Sequence, residues 1–380
     1  MHSFTTRLLA SALVLFLFPD PTAFAQKKSK RRPTTRRKAA VVRPQPQTAT
    51  GTTLEQRLSS LVNGRVAQAS EASIQIAEVE SGRVVAERNA HMAVAPASNM
   101  KLFTTGAALD LLGGDFKIRT TVYALGEVDP SGILRGDVKI VGRGDPTIGG
   151  RFHDGNATAV LEEWATALKR AGIKTISGNL IFEYGYFDTE YVHPTWPEDQ
   201  LVNWYEAPVS AFSMQEGCVQ VRVLPSKGGA ACTVEFEPPT NYVQAENSCV
   251  TGRGLPFITR HRNSNTIIVR GGVPARSGPT EVFITVENPI HYFAAVTTET
   301  FARSGITVNG DVVLTPRDLR PGWRAIAEHS TPMNVVVYVI NKKSQNHYAE
   351  QVLKMLGADV KKQGSWAAGT AVVEEWLTRK

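Results

Sequence analysis

Residues 96–105 read PASNMKLFTT, and inside them Ser98 stands three positions before Lys101. Leu102, Ala107, Leu109 and Leu112 follow at helical spacing until Gly113-Gly114. The spacing predicts a helix over 98–112 with the glycine pair as its stop. Three residues is close to one helical turn, so Lys101 shares a face with Ser98. A serine hydroxyl is a weak nucleophile until a base takes its proton. A partly desolvated lysine has the lowered pKa to serve as that base. The helix N-terminus adds backbone N–H groups and a dipole that favour developing negative charge. The same residues also suit an N-capping serine followed by a solvated lysine. A chain this long holds roughly one Ser-x-x-Lys by composition alone, so the rest of the sequence must decide.

Ser-x-Asn, the usual companion of Ser-x-x-Lys in serine acyl-transferring enzymes, occurs twice. Ser177-Gly178-Asn179 lies in TISGNLIF, a turn leading into a strand, and reads as structural. Ser344-Gln345-Asn346 follows Asn341-Lys342-Lys343 and opens a helix over 344–356. There the hydroxyl and amide can face a shared cleft, Ser344 relaying a proton and Asn346 binding a substrate amide; the plain alternative for Ser344 is an N-cap.

Around these motifs, 53–61 has helical spacing, and 72–86 reads as a β-hairpin about Ser81-Gly82. Alternation around Pro130-Ser131-Gly132 marks a second hairpin, and ATAVLEEWATALKRA a helix at 157–171 stopped by Gly172. The stretch to about 320 reads as short strands punctuated by Gly, Pro and Asn. MNVVVYVI is an apolar run, and the chain closes on a loop and one amphipathic helix.

With 380 residues the chain supports two or more domains. Residues 1–25 carry Arg7, an apolar run from Leu8 to Phe18 and a small-x-small site at Ala23-Phe24-Ala25. This predicts a secretory signal peptide, cut after Ala25, and hence a periplasmic or other extracytoplasmic location in the cell envelope. Nine Lys or Arg and no acid fall between Lys27 and Arg43. Setting those aside, with Arg7 and Asp20, leaves 32 basic against 34 acidic residues. The net charge of +7 therefore belongs to a tail, 26–52, read as a disordered linker or a tether to anionic lipid or wall polymer. Export argues against nucleic acid as a partner. Of Cys218, Cys232 and Cys249, the pair 218–232 is preferred because the segments beside them look like hairpin strands. No His or Cys pair has metal-ligand spacing, and no metal or organic cofactor is implied. Arg143-Gly144-Asp145 sits in a GRGDPT turn and is not read as an adhesion motif, nor Asn156-Ala157-Thr158 as a glycosylation site.

Taken in order, PASNMKLFTTGAALDLLG, LRGDVKIVGRGDPTI, NWYEAPVSAFSM and NKKSQNHYAEQVLKMLG resemble the class C low-molecular-mass penicillin-binding proteins. These are D-alanyl-D-alanine carboxypeptidases and endopeptidases of peptidoglycan, and the resemblance covers roughly 55–360. It implies Ser98 as nucleophile, Lys101 as general base, Ser344 as proton relay and Asn346 as substrate-amide ligand. It further implies stem or cross-link peptides as substrates and β-lactams as inhibitors trapped on Ser98. The implied fold is α/β (α+β): a transpeptidase/β-lactamase-like domain of antiparallel sheet and helices from 53–116 and 321–380. A strand-rich insertion over 117–320, forming two subdomains, interrupts it. The family's third motif, Lys-Thr-Gly on a strand, is absent from the 380 residues, and Lys174-Thr175-Ile176 does not replace it. The expectation is a C-terminally truncated chain, with a degenerate homologue, a wall-binding scaffold or a serine β-lactamase as alternatives.

Overall fold

A computed structural model describes residues 53–69 and 71–380; the expected signal peptide and the basic segment lie outside them. The chain divides into two compact units at Val94/Ala95. In the first, α1 (Leu54–Val62) begins on a reciprocal cap: Thr53 Oγ1 accepts from the Gln56 N–H at 3.2 Å, and Gln56 Oε1 from the Thr53 N–H at 3.0 Å. This satisfies two of the N-terminal donors that a helix leaves open. A short α2 (Arg65–Gln68) follows, and β1 (Ile74–Ala77) pairs antiparallel with β2 (Val84–Arg88) in the expected hairpin.

The second unit starts with a 3-10 turn at Ala97–Asn99 running into α3 (Met100–Leu111). The hairpin of β3 (Lys117–Val128) and β4 (Ile133–Val141) turns where expected, its loop held by Asp129 Oδ1, which accepts from the N–H groups of Ser131 and Ile133. Then come α4 (Ala159–Arg170), β5 (Thr175–Ile176) and β6 (Leu180–Glu183). A run of strands follows: β7 (Cys218–Leu224), β8 (Thr233–Glu237), β9 (Gln244–Asn247), β10 (Val250–Thr251), β11 (Pro256–Arg260), β12 (Thr266–Val273) and β13 (Thr280–Thr285). The rest is α5 (Pro289–Arg303), β14 (Thr307–Val308), β15 (Val312–Thr315), β16 (Arg324–Pro332), α6 (Met333–Lys343), α7 (Asn346–Lys361) and α8 (Trp366–Arg379).

A seven-stranded sheet runs β14-β5-β4-β3-β16, with β6 and β15 branching from β4; β13-β7-β8 and a four-stranded sheet around β12 complete the β structure. Strand β16 lies antiparallel to β3 from Arg324↔Ala124 to Pro332↔Lys117, so residues 324–332 belong to this sheet and deliver the chain directly into α6. Val160, Leu161, Trp164, Ala165 and Leu168 make one buried stripe on α4. It packs into a core containing Phe182, Phe212 and Phe293. Burying each such large side chain is worth about 1.5–3 kcal/mol. A separate core joins α3, α6, α7 and α8 through Ala107, Ala108, Val336, Ile340, Val352, Met355 and Val372. This second core carries the site.

Three readings change. The segment 289–303, expected among short strands, is α5, capped by Asn288 Oδ1, which accepts from the Ile290 and His291 N–H groups. The apolar run at 333–340 is itself helix α6. Cys218 does not face Cys232: the antiparallel register sets Leu224 opposite Thr233 and Gln220 opposite Glu237, carrying Cys218 to the far end of the ladder. The sulfur beside Cys232 belongs to Cys249, at 3.1 Å. Gly144 takes φ +75°, and a Cβ there would meet the Phe187 ring at 2.6 Å. Asp145 beside it is 1% exposed and accepts from the Thr147 N–H and hydroxyl, which leaves no adhesive tripeptide.

Candidate active site

The site forms where the start of α3 meets the α6–α7 junction. Ser98 lies in the 3-10 turn before α3, exposed, directly after Ala97, whose φ of +45° is left-handed. Lys101, on the first turn of α3, places Nζ 3.1 Å from Ser98 Oγ. Across the cleft, Ser344 Oγ stands 3.5 Å from the same Nζ, although 243 residues separate the two in the chain. Ser344 neither opens nor caps α7. It ends α6 in a left-handed conformation (φ +54°, ψ +36°), and Gln345 precedes the first turn of α7. A left-handed non-glycine residue costs on the order of 1 kcal/mol, and here one such residue adjoins the first serine and another is the second. The hydroxyl-bearing positions are thus aimed by backbone that the sequence pays for with strain.

Lys101 is half-buried and forms no ion pair among the described residues. Loss of water around the ammonium pulls its pKa below the ordinary lysine value, and the carboxylate charge of Glu350 opposes that pull. Glu350 lies one helical turn beyond Asn346. It accepts a 2.7 Å hydrogen bond from Trp366 Nε1, and burial pushes its own pKa up. Lys354, one turn further on, is 0% exposed but fully engaged, donating to Asp188 Oδ1 and the Glu190 carbonyl, both at 2.6 Å. Lys354 is therefore part of the packing, whereas Lys101 keeps its nitrogen for two hydroxyls.

Asn346 occupies the first position of α7. Its Nδ2 donates to the Tyr205 carbonyl at 2.8 Å, fixing the amide and leaving Oδ1 as an acceptor. Thr105 on α3 and Asn341 on α6 exchange a contact at 3.3 Å that ties the two helices beneath the cleft. Beside Gln345 opens a cavity of about 520 Å³, lined by Arg151, Trp204, Glu216, Phe283 and Lys343 among others. Both oxygens of Glu216 are engaged by Arg151, one of them also by Gln345, which braces the α6–α7 junction against the wall of that cavity. Its size falls in the range of small-ligand sites.

Ser98, Lys101 and Ser344 thus meet at the Lys101 nitrogen, with Asn346 two residues beyond Ser344 at the start of α7, while Ser177 and Asn179 are built into the β-sheet turn. Tyr205, Glu216, Gln345 and Glu350 were not singled out from the sequence. Glu350 had a signal, because four residues after Asn346 is the same helical face. The Tyr205 contribution is a backbone carbonyl and carries no signal in residue type.

The site thus presents a serine hydroxyl in contact with a lysine one turn away, and a second serine on that same lysine, within a mixed α/β fold. Residues 54–380 match the D-Ala-D-Ala carboxypeptidase 3 (S13) family, and the chain belongs to that family. It is 30% identical over 341 residues to a D-alanyl-D-alanine carboxypeptidase of Actinomadura sp. (strain R39), covering 86% of this chain and 61% of that protein. It is 24% identical over 311 residues to D-alanyl-D-alanine carboxypeptidase DacB of Haemophilus influenzae, covering 80% and 62%. The chain therefore spans about three-fifths of the length of these curated relatives. Its fold matches the crystal structure of penicillin binding protein 4 from Haemophilus influenzae at a TM-score of 0.68 and 22% identity, over 82% of this chain and 68% of that one. No helix among the described residues is long and apolar enough to cross a membrane.

Proposed function

We propose that this chain carries the acylation centre of a serine-type D-alanyl-D-alanine carboxypeptidase or endopeptidase acting on peptidoglycan stem or cross-link peptides outside the cytoplasm. The observation that carries the reading is the Ser98–Lys101–Ser344 contact, 3.1 Å and 3.5 Å about one nitrogen. Neutral Lys101 takes the Ser98 proton as Oγ attacks the carbonyl of the penultimate D-Ala. Charge on the carbonyl oxygen is met by backbone N–H groups at the α3 terminus, including that of Ser98. The proton then passes from Lys101 through Ser344 to the leaving amine, and Asn346 Oδ1 accepts from a substrate amide N–H. Water hydrolyses the ester, with the protons returning along the same path.

Membership of the S13 family supports this reading, as do the printed activities of the two curated relatives. The Haemophilus influenzae protein has also been solved with a bound β-lactam (TM-score 0.60, 22% identity, 82% of this chain, 67% of that one), which makes β-lactams the inhibitors to expect here. The test is release of D-Ala from a peptide ending in D-Ala-D-Ala, alongside cleavage of a cross-linked muropeptide. Hydrolysis by the parent and none by Ser98→Ala is the expected result. Equal hydrolysis by both would remove Ser98 from the chemistry.

A further inference from the structure

The three cysteines are not equivalent. Cys218 is buried at the start of β7, its carbonyl accepting from the Tyr292 hydroxyl at 3.0 Å. Cys232 and Cys249 lie on facing chain segments: Ala231 and Val250 form an antiparallel bridge, the Cys232 N–H donates to the Cys249 carbonyl at 2.9 Å, and the sulfurs stand 3.1 Å apart. The backbone there is fixed on both sides, with Asn247 Nδ2 donating to the Cys232 carbonyl at 2.7 Å and the Thr251 N–H to that of Ala230 at 2.8 Å. Little movement separates this arrangement from the roughly 2.0 Å of a sulfur–sulfur bond.

We infer that Cys232 and Cys249 are the sites of a disulfide that joins the β7–β8 sheet to the β9–β12 sheet, with Cys218 left as a free thiol. Its formation oxidises two thiols. One thiolate attacks a sulfur of an external disulfide, either a thiol–disulfide oxidoreductase or oxidised glutathione, and releases one donor thiol. The second thiolate then attacks the mixed disulfide and releases the other; the two cysteine protons leave with the reduced donor. Burial, and the contact with Cys232, push the Cys249 thiol up to about 11 in the folded chain, and both sulfurs are shut off from solvent. The bond is therefore made as this segment folds and, once packed, resists reduction.

Trypsin reads the connectivity directly, because residues 228–253 contain Cys232 and Cys249 with no Lys or Arg before Arg253, while Cys218 lies in 175–222. The full chain, refolded with a reduced/oxidised glutathione couple, is alkylated, digested without reductant and weighed. The expected product is peptide 228–253 unalkylated and roughly 2 Da light from the two hydrogens lost, beside alkylated 175–222. A 175–222/228–253 cross-link, or alkylation of all three cysteines, overturns the inference. Melting supplies a second readout that does not rely on digestion. The double variant Cys232→Ser/Cys249→Ser should melt roughly 5 °C below the parent under oxidising conditions, and Cys218→Ser should retain the redox-dependent difference. Equal redox dependence in the double variant would also overturn it.

Discussion

Ser177-Gly178-Asn179 and Ser344-Gln345-Asn346 are the same triplet by pattern, and their surroundings separate them. In the first, both side-chain oxygens are bound into the fold. Ser177 Oγ accepts from the Gly136 N–H at 3.3 Å, the Asn179 N–H donates to Asp137 Oδ1 at 2.6 Å, and Asn179 Oδ1 accepts from the Asp311 N–H at 2.9 Å. In the second, Ser344 is held in a left-handed turn with its hydroxyl toward Lys101, and Asn346 is anchored through its nitrogen alone. A triplet becomes a site when the fold leaves its acceptors over. Gly178 fits the same account: a Cβ there would sit 2.1 Å from Asp137 Oδ1, so the first triplet is locked into strand pairing.

The comparison is sharpest at the lysine that only the second triplet meets. Lys101→Met should slow acylation by benzylpenicillin about 10³-fold, within the range expected for losing a general base, as measured by stopped-flow or quenched mass spectrometry. In the parent the rate should rise with pH and level off below the free-lysine pKa of about 10.4, because desolvation favours the neutral amine that accepts the serine proton. A rate independent of pH across that range would remove Lys101 as the base. Asn346→Ala removes a substrate contact but leaves the nucleophile, and should cost about 10²-fold in acylation, close to the 2.7 kcal/mol of one oriented hydrogen bond in a preorganised site. An unchanged rate would make Asn346 a spacer like Asn179.

A third test concerns what holds the second triplet in place. His347, directly after Asn346, is fully buried, contacts Ser213 Oγ at 2.8 Å, and has its pKa pushed down to about 4 by burial. The unfolded chain therefore binds a proton that the folded chain refuses. Stability should be fully present above the free-histidine pKa of about 6.5 and fall below it by up to about 1.4 kcal/mol per pH unit, until the folded pKa is reached. Urea melts at pH 7 and pH 5 would measure this, with His347→Gln flattening the difference between them. Ser177→Ala is the smallest effect expected. It should cost about 1 kcal/mol of stability and leave penicillin acylation at the parental rate, and a loss of acylation would break the contrast between the triplets.

The parts of the fold legible in the sequence were those where local chemistry and tertiary structure agree. Examples are the helix read over 53–61, the hairpin at Pro130-Ser131-Gly132 and the helix read over 157–171. Helix α5 was not legible because Val296, Thr297, Thr298 and Thr300 read as strand formers. Burial overrides that preference, and the Thr297 and Thr298 hydroxyls donate back to the carbonyls of Phe293 and Ala294 at 2.7 and 2.8 Å. The signal passed over was Asn288-Pro289, an N-cap followed by a first-turn proline. At the site, Ser-x-x-Lys and Ser-x-Asn offered Ser98, Lys101, Ser344 and Asn346 as candidates beside plain N-cap readings, and the family resemblance singled them out. The left-handed turn at Ser344, the Tyr205 carbonyl and the Glu216 brace depend on tertiary placement, which spacing does not encode. The cysteine pairing failed for a related reason, since proximity in sequence says nothing of register along the β7–β8 ladder.

The most direct test of the central claim is intact-protein mass spectrometry of the folded chain after incubation with benzylpenicillin, with Ser98→Ala in parallel and circular dichroism confirming both folds. The account predicts one penicilloyl adduct on the parent and none on the variant. No adduct on the folded parent, or an equal adduct on Ser98→Ala, would contradict it.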